Sequence, residues 1–350
     1  MDITIKPYSK KYFKQCAELQ KYLWKENKVN REIRFEWAYN NNPNNTIPLS
    51  VIAVNENDEV MGFRGYFLNS FKINNQEFLI AQLSDTVVSE KARRLGIFQN
   101  MTNYSLEYLK KNNVAFIVNL SPSWAPYYGY KKIDFADLAS FHSVYRFSLI
   151  NILKERVFKI QRNDLYNIEF ERSFNDNTYI ISNEANETIL SQVEILKKQD
   201  LLCSSLNLAN IKWRTKRPSS NYIYAYVLNK EEELLSFMMI KSKDFYNYDF
   251  GLILTKEMES LKKIMQLFRK TYKPAAVAAW DFALSGEEKL QLKKLGMYSI
   301  PFINKIRKNP PAMIRTLHKN EDGSLNWIVN GVDIRDVNNW SISKIDLDSF

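Results

Sequence analysis

The residues of this 350-residue chain best suited to chemistry lie in the run Asp85-Thr86-Val87-Val88-Ser89-Glu90-Lys91-Ala92-Arg93-Arg94-Leu95-Gly96-Ile97-Phe98. An apolar, strand-like stretch ends there in a basic loop with one glycine. Ile97, Met101, Tyr104 and Tyr108 then recur at three- and four-residue spacing, the mark of a helix with one face inward. The first N–H groups of a helix have no partner inside it and carry partial positive charge, so they stabilise an anion. Gly96 would let the backbone come close to a phosphate, while Arg93 and Arg94 add side-chain charge. The pattern therefore predicts a diphosphate site. An ordinary strand-to-helix turn with two solvated arginines has the same spacing, and the loop alone does not decide between them.

Other chemistries are easier to exclude. The nine glycines form neither G-x-G-x-x-G nor G-x-x-x-x-G-K-[ST], which argues against a dinucleotide turn and a P-loop. Cys16, Cys203, His142 and His318 are scattered, so neither a structural zinc site nor a disulfide framework is expected, and no metal is assigned. No G-x-S-x-G occurs. With 45% hydrophobic and 25% charged residues the chain reads as folded rather than disordered. The start, Met1 to Lys6, has no apolar leader, and no run is long enough to span a membrane, so a soluble cytoplasmic protein is expected. A net charge of +10 suggests an anionic partner, but the basic residues are dispersed and compositional drift explains them equally well.

The elements around the loop follow from periodicity. Tyr12, Phe13, Cys16, Leu19, Leu23 and Trp24 predict helical structure with an apolar face. Strands are predicted at 49–54, 60–67, 71–73 and 77–88, with turns at 55–59 and at Asn74-Asn75. The loop, its helix, a short strand at 114–118, an aromatic segment to Phe135 and a strand at 142–147 complete the first half. The second half repeats this order: helix 187–198, strands 222–227, 234–240 and 252–254, helix 257–271, strand 275–282 and helix 290–297. Two echoes support a duplication. Phe35-Glu36-Trp37 before Pro43 answers Ile211-Lys212-Trp213 before Pro218, and Lys132-Ile133-Asp134-Phe135 answers Lys294-Leu295-Gly296-Met297.

Arg93-Arg94-Leu95-Gly96-Ile97-Phe98 resembles the R-x-x-G-x-G/A acyl-CoA loop of the GNAT acyltransferase superfamily. The segment Pro122 to Phe135, with its Tyr128-Gly129-Tyr130 core, resembles that family's closing motif, with Ser123 in place of an asparagine and Asp134 in place of a glycine. Phe98 also departs from the small residue common in the family. The resemblance implies an α/β (α+β) fold of two GNAT-like domains, each a mixed, mostly antiparallel sheet flanked by helices. Residues 1–150 would bind acyl-CoA, and residues 151–350 would form a degenerate copy that walls the acceptor site. That copy has no glycine between Gly251 and Gly286 and so no phosphate loop.

The implied reaction is direct attack of an amine on an acetyl-CoA or other short acyl-CoA thioester. The diphosphate would lie on Arg93, Arg94, Leu95, Gly96, Ile97 and Phe98, and the oxyanion would take a main-chain N–H from Thr86, Val87 or Val88. Tyr130 occupies the thiolate-protonating position, with packing as its alternative role. A base must deprotonate the amine. Asp85 is the first candidate; His142 is a second, and the chain-terminal carboxylate of Phe350 a third.

Ser121, Trp124, Tyr127 and Tyr128 would line the acceptor site, the aromatics stacking on a sugar or base. The expected acceptor is an amino sugar, nucleotide-linked, with no nucleic-acid partner and a homodimer left open. Two alternatives stand beside this: a non-catalytic protein binding nucleic acid or another anionic surface, and a FemAB-like aminoacyl transferase.

Overall fold

Two consecutive asparagines set the central hairpin. Asn74 and Asn75 have φ of +49° and +61°, the left-handed pair that a two-residue turn between twisted strands requires. They join β3 (Val60–Ile73) to β4 (Gln76–Val88), paired from Ile73↔Gln76 to Gly62↔Val88. The break expected at 68–70 is absent because its polar residues are used across the hairpin. Asn69 donates to Gln82 at 3.3 Å, and the Ser70 hydroxyl bonds the Glu77 carboxylate.

The computed structural model describes residues 2–24, 28–156, 169–198, 200–244, 247–281, 286–301 and 310–347. The chain forms two units: Met1–Ala139 with Lys216–Pro218 and Asn309–Asn339, and Ser140–Thr215 with Ser219–Lys308 and Trp340–Phe350. In the first, β1 (Ile3–Pro7), β2 (Val51–Asn55), β3 and β4 follow one another as antiparallel neighbours. Then come β5 (Val114–Asn119), the strand Ala312–Thr316 and β6 (Ala136–Ala139). Among the strands of this order β4 and β5 run parallel, and a crossover helix, α3 (Ile97–Lys111), joins them.

The second unit has the same order: Tyr298–Ser299, Ser143–Phe147, Ala276–Trp280, Asn247–Thr255, Leu234–Asp244, Asn221–Leu228, Asn177–Ser182 and an added Phe170–Phe174. Its one parallel junction also joins the fourth and third of these strands around a crossover helix, Met258–Tyr272. A division at residue 150 is therefore corrected. Ser143–Phe147 pairs with Ala276–Trp280 in the second sheet, whereas Ala312–Thr316 pairs with β5 and β6 in the first. Each half of the chain supplies the matching strand of the other unit's sheet. The second echo also holds in the backbone: Asp134 and Gly296 have φ of +63° and +79°.

Alternation along β3 assigns its two faces. Phe63 and Phe67 face the helical layer of α1 (Phe13–Leu19), α2 (Lys28–Phe35) and the wider turn Glu36–Asn40. Phe35, Tyr39 and Phe63 meet there with ring centres 4.7–5.1 Å apart, each pair adding about 0.5–1.5 kcal/mol beyond burial. Gly62 and Tyr66 face α3, whose buried residues are Ile97, Met101, Thr102, Ser105 and Leu109. Tyr104, expected on that face, is exposed, as are Leu23 and Trp24. Among the described residues no helix is long and apolar enough to cross a membrane.

Candidate active site

The ladder between β4 and β5 runs only from Leu79↔Val114 to Gln82↔Val118, so Leu83–Val88 continue past it. Main-chain groups on that edge of β4, Thr86, Val87 and Val88 among them, lie beyond the reach of the paired β5. This stretch leads into the basic loop. Arg94 and Gly96 both have left-handed φ, +69° and +70°, and Gly96 passes directly into right-handed α3, a left-handed then right-handed pair whose backbone N–H groups point into one concavity. Gly96 caps α3 without a side chain, so no side chain occupies the first N–H groups of that helix. Arg93, Arg94 and Leu95 are exposed; Arg93 is 3.5 Å from Glu90. Ile97 turns into the core, and Phe98 lies half-buried against Tyr130, ring centres 5.8 Å apart.

Tyr130 belongs to α4 (Trp124–Lys131) and is 2% exposed. It packs on Phe135 at 5.1 Å and shares a core with Tyr66, Leu83 and Ile117. Its phenol is thus a core group, with the Phe98 ring packed beside it. On the outer face of the same helix Trp124, Tyr127 and Tyr128 form one cluster, with centres 5.3–6.2 Å apart. Trp124 and Tyr128 are exposed, and Tyr127 donates to Asp137 at 3.0 Å. Burial first, then Asp137, raises the Tyr127 phenol above its ordinary range. Ser121 is exposed, its N–H bonded to Asn119 at 3.3 Å.

The expected base, Asp85, occupies a different environment. The β3–β4 register steps from Arg64↔Thr86 to Tyr66↔Leu83, so β4 carries an extra residue at Ser84-Asp85, a bulge. The Asp85 carboxylate is buried there and accepts from Gln20 (2.7 Å), Trp24 (2.9 Å), Tyr39 (2.9 Å) and Arg34 (3.3 Å). Four donors fill the acceptor capacity of a carboxylate. The geometry therefore corrects the assignment: Asp85 ties α1, α2 and the turn after it to the bulge, with no lone pair left for an incoming ammonium. His142 is exposed and lies in the second unit, just before the strand that begins at Ser143; its carbonyl accepts from the Asp281 N–H at 3.2 Å. Phe350 lies outside the described residues.

Sequence reading missed the residues that hold this arrangement. Tyr39 is 1% exposed, and burial pushes its phenol well up. Gly65 is the floor beneath it: a Cβ there would sit 2.3 Å from the Tyr39 hydroxyl. Gly65→Ala should cost about 3 kcal/mol, combining overpacking with a lost bond to a charged group. Urea unfolding checks this, and a wild-type midpoint would show that Tyr39 can move aside. The signal was present in Gly62-Phe63-Arg64-Gly65-Tyr66, a strand with two glycines and a charge among aromatics.

The second unit repeats the splay without the loop. Its fourth strand pairs with Ala276–Trp280 only as far as Phe250↔Ala279, and Gly251–Thr255 run on. A cavity of about 90 Å³ remains there, lined by residues that include Gly251, Leu252, Thr255, Trp280, Ile342 and Lys344. Lys344 reaches from the C-terminal segment to Asp249 at 2.9 Å. Burial opposes the charge on Asp249, but Lys344 and Lys243 outweigh it and hold the carboxyl below its usual range. Glu257, not glycine, caps the helix that follows. Among the described residues no three His, Cys, Asp or Glu side chains cluster as metal ligands would.

Residues 4–135 match the family model of the acetyltransferase (GNAT) domain. Comparison with curated proteins finds no match. Among solved structures, a conserved protein of unknown function from Enterococcus faecalis aligns with TM-score 0.65 and 12% identity, over 91% of this chain and 73% of that one. A tandem GNAT protein from the clavulanic acid biosynthesis pathway aligns at 0.50 and 9%, over 91% and 100%. Saccharomyces cerevisiae N-myristoyltransferase with bound myristoyl-CoA aligns at 0.55 and 11%, over 97% and 84%. These identities speak for the fold alone, and the family model speaks for residues 4–135. Residues 4–135 of the chain thus carry a GNAT acetyltransferase domain.

Proposed function

We propose that the chain transfers an acetyl or other short acyl group from CoA to the amine of an amino sugar, nucleotide-linked, in a ternary complex. The observation that carries the reading is one continuous feature: β4 running past its ladder with β5 into a loop with two left-handed residues that opens α3. Such a loop suits a diphosphate, and the β4 edge suits the arm leading to the thioester. The Trp124–Tyr127–Tyr128 cluster, with Trp124 and Tyr128 exposed, supports a flat, stackable acceptor. The substrate nitrogen attacks the thioester carbon, a β4 main-chain N–H holds the oxyanion, and the C–S pair leaves with sulfur. Tyr130 supplies the thiolate's proton. Because Asp85 is saturated, the ammonium proton leaves to water.

Calorimetric titration with acetyl-CoA should give one site per chain, and thiol release should depend on an added amino-sugar nucleotide. No heat with any short acyl-CoA would end this reading. Tyr130→Phe should lower kcat about 100-fold at unchanged acetyl-CoA affinity; a wild-type rate would make Tyr130 a packing residue.

A second reading, binding of a polyanion, has one feature in its favour. In the second unit Arg146, Arg269, Lys270 and Lys273 line a surface groove of about 450 Å³. Burial lowers the proton affinity of both guanidinium groups, and Arg269 lowers that of Arg146 further. Binding there would weaken linearly with the logarithm of salt concentration, whereas the CoA isotherm would keep its stoichiometry.

A further inference from the structure

Arg64 is fully buried, yet only one of its three nitrogens is used. Its Nε donates to Tyr66 Oη at 2.7 Å, while Nη1 and Nη2 have no partner. Tyr66 Oη is in turn 2.5 Å from Ser105 Oγ on α3. Three rings surround the guanidinium: Tyr130, Phe98 and Tyr66, centred 5.4, 5.5 and 5.5 Å from its central carbon. Its cross-strand neighbour on β4 is Thr86, whose hydroxyl is also buried without a partner. Among the described residues no carboxylate pairs with Arg64. Burial works against its charge, while the neighbouring phenol oxygens of Tyr66 and Tyr130 favour it, and the guanidinium's proton affinity ends above its ordinary value.

A buried cation with two idle donors is unfavourable unless a negative charge comes to it. The group beside it that becomes negative in the reaction is a phenol. We infer that Arg64 is a positioning residue that stabilises Tyr130 as the phenolate while Tyr130 gives its proton to the departing thiolate. This rests on the reading of Tyr130 given above. The bonds balance: the neutral amine nitrogen bonds to the carbonyl carbon and gives up one proton to water, the C–S bond breaks with its pair on sulfur, and sulfur takes the Tyr130 proton. The phenolate, held by the Nη1 and Nη2 donors, regains a proton from solvent. The donors, which make no well-formed hydrogen bond at rest, thereby interact most strongly in the charged interval, which is the condition under which an electrostatic contact accelerates a step.

The test uses the full chain, with acetyl-CoA as donor and hydroxylamine as nucleophile, following thiol release. Arg64→Met should lower kcat about 100-fold with the KM for acetyl-CoA within about twofold. Its urea midpoint should equal or exceed wild type, because an apolar side chain of similar length replaces an underused buried charge. Arg64→Lys should recover part of the rate. In a Tyr130→Phe background Arg64→Met should change kcat less than about twofold, since the phenol it serves is gone. Equal losses with and without the phenol, a rise in KM instead of a fall in kcat, a wild-type rate, or a lowered urea midpoint would each overturn the inference. If Tyr130→Phe itself runs at the wild-type rate, the reading of Tyr130 fails first. A slow Tyr130→Phe beside a fast Arg64→Met defeats only the role given to Arg64.

Discussion

Asp85→Asn should destabilise the first unit by about 3–5 kcal/mol, the cost of breaking a buried charge pair by removing one partner. The carboxylate accepts from Gln20, Trp24, Arg34 and Tyr39, and an amide in its place can accept with one atom only. Its NH2 would point at one or more donors, leaving them buried and unmatched. Arg34 is held by Gln20 at 2.7 Å and stacks on Trp24 at 4.5 Å, so its charge would stay in place without a counter-charge. Total stabilities run to about 5–15 kcal/mol, so the loss is a large share. Urea denaturation followed by tryptophan fluorescence reads it, because Trp24 and Trp37 lie on this helical layer. A catalytic base would behave in the opposite way: kcat would collapse while the urea midpoint stayed at wild type. That pattern would return Asp85 to the reaction and remove it from the framework.

How much of this was legible in the sequence depended on how local the cause is. The Asn74-Asn75 turn and the loop from Arg93 to Phe98 were legible because turn and helix-start chemistry act over a few residues. The helix at 97–111 was legible by period, although its inward face runs through Ser105 rather than Tyr104. Strand β3 was expected in two pieces because Asn69 and Ser70 look like a break, and only the opposing strand shows how those polar groups are used. The Asp85 cage joins residues up to 65 positions apart, and such pairing leaves no periodicity. The placing of Ala312–Thr316 between β5 and β6 is more distant still. Arg64 was the avoidable omission. A cation inside an otherwise apolar, aromatic strand always needs a reason, and that question can be asked from sequence alone.

Gly96→Glu should weaken acetyl-CoA binding at least about 100-fold, a loss of about 2.7 kcal/mol, while the chain stays folded. The two halves of that expectation have separate causes. A Cβ at Gly96 would meet nothing within 4 Å, so no packing opposes a side chain. The left-handed φ of +70° costs a non-glycine residue about 1–2 kcal/mol. A carboxylate at the start of α3 returns about 0.3–1 kcal/mol by satisfying its N–H groups, so the net change in stability is small. Those N–H groups are the ones a diphosphate would need. The introduced charge therefore competes for the donors and repels the ligand as well. Gly96→Ala separates the two effects: it carries the same backbone strain without the charge, and should lose about tenfold or less in affinity. Calorimetry on the three proteins decides the matter. Equal affinity in Gly96→Glu and wild type would mean that the diphosphate does not sit on this turn, and the splay of β4 from β5 would then have to serve some other ligand.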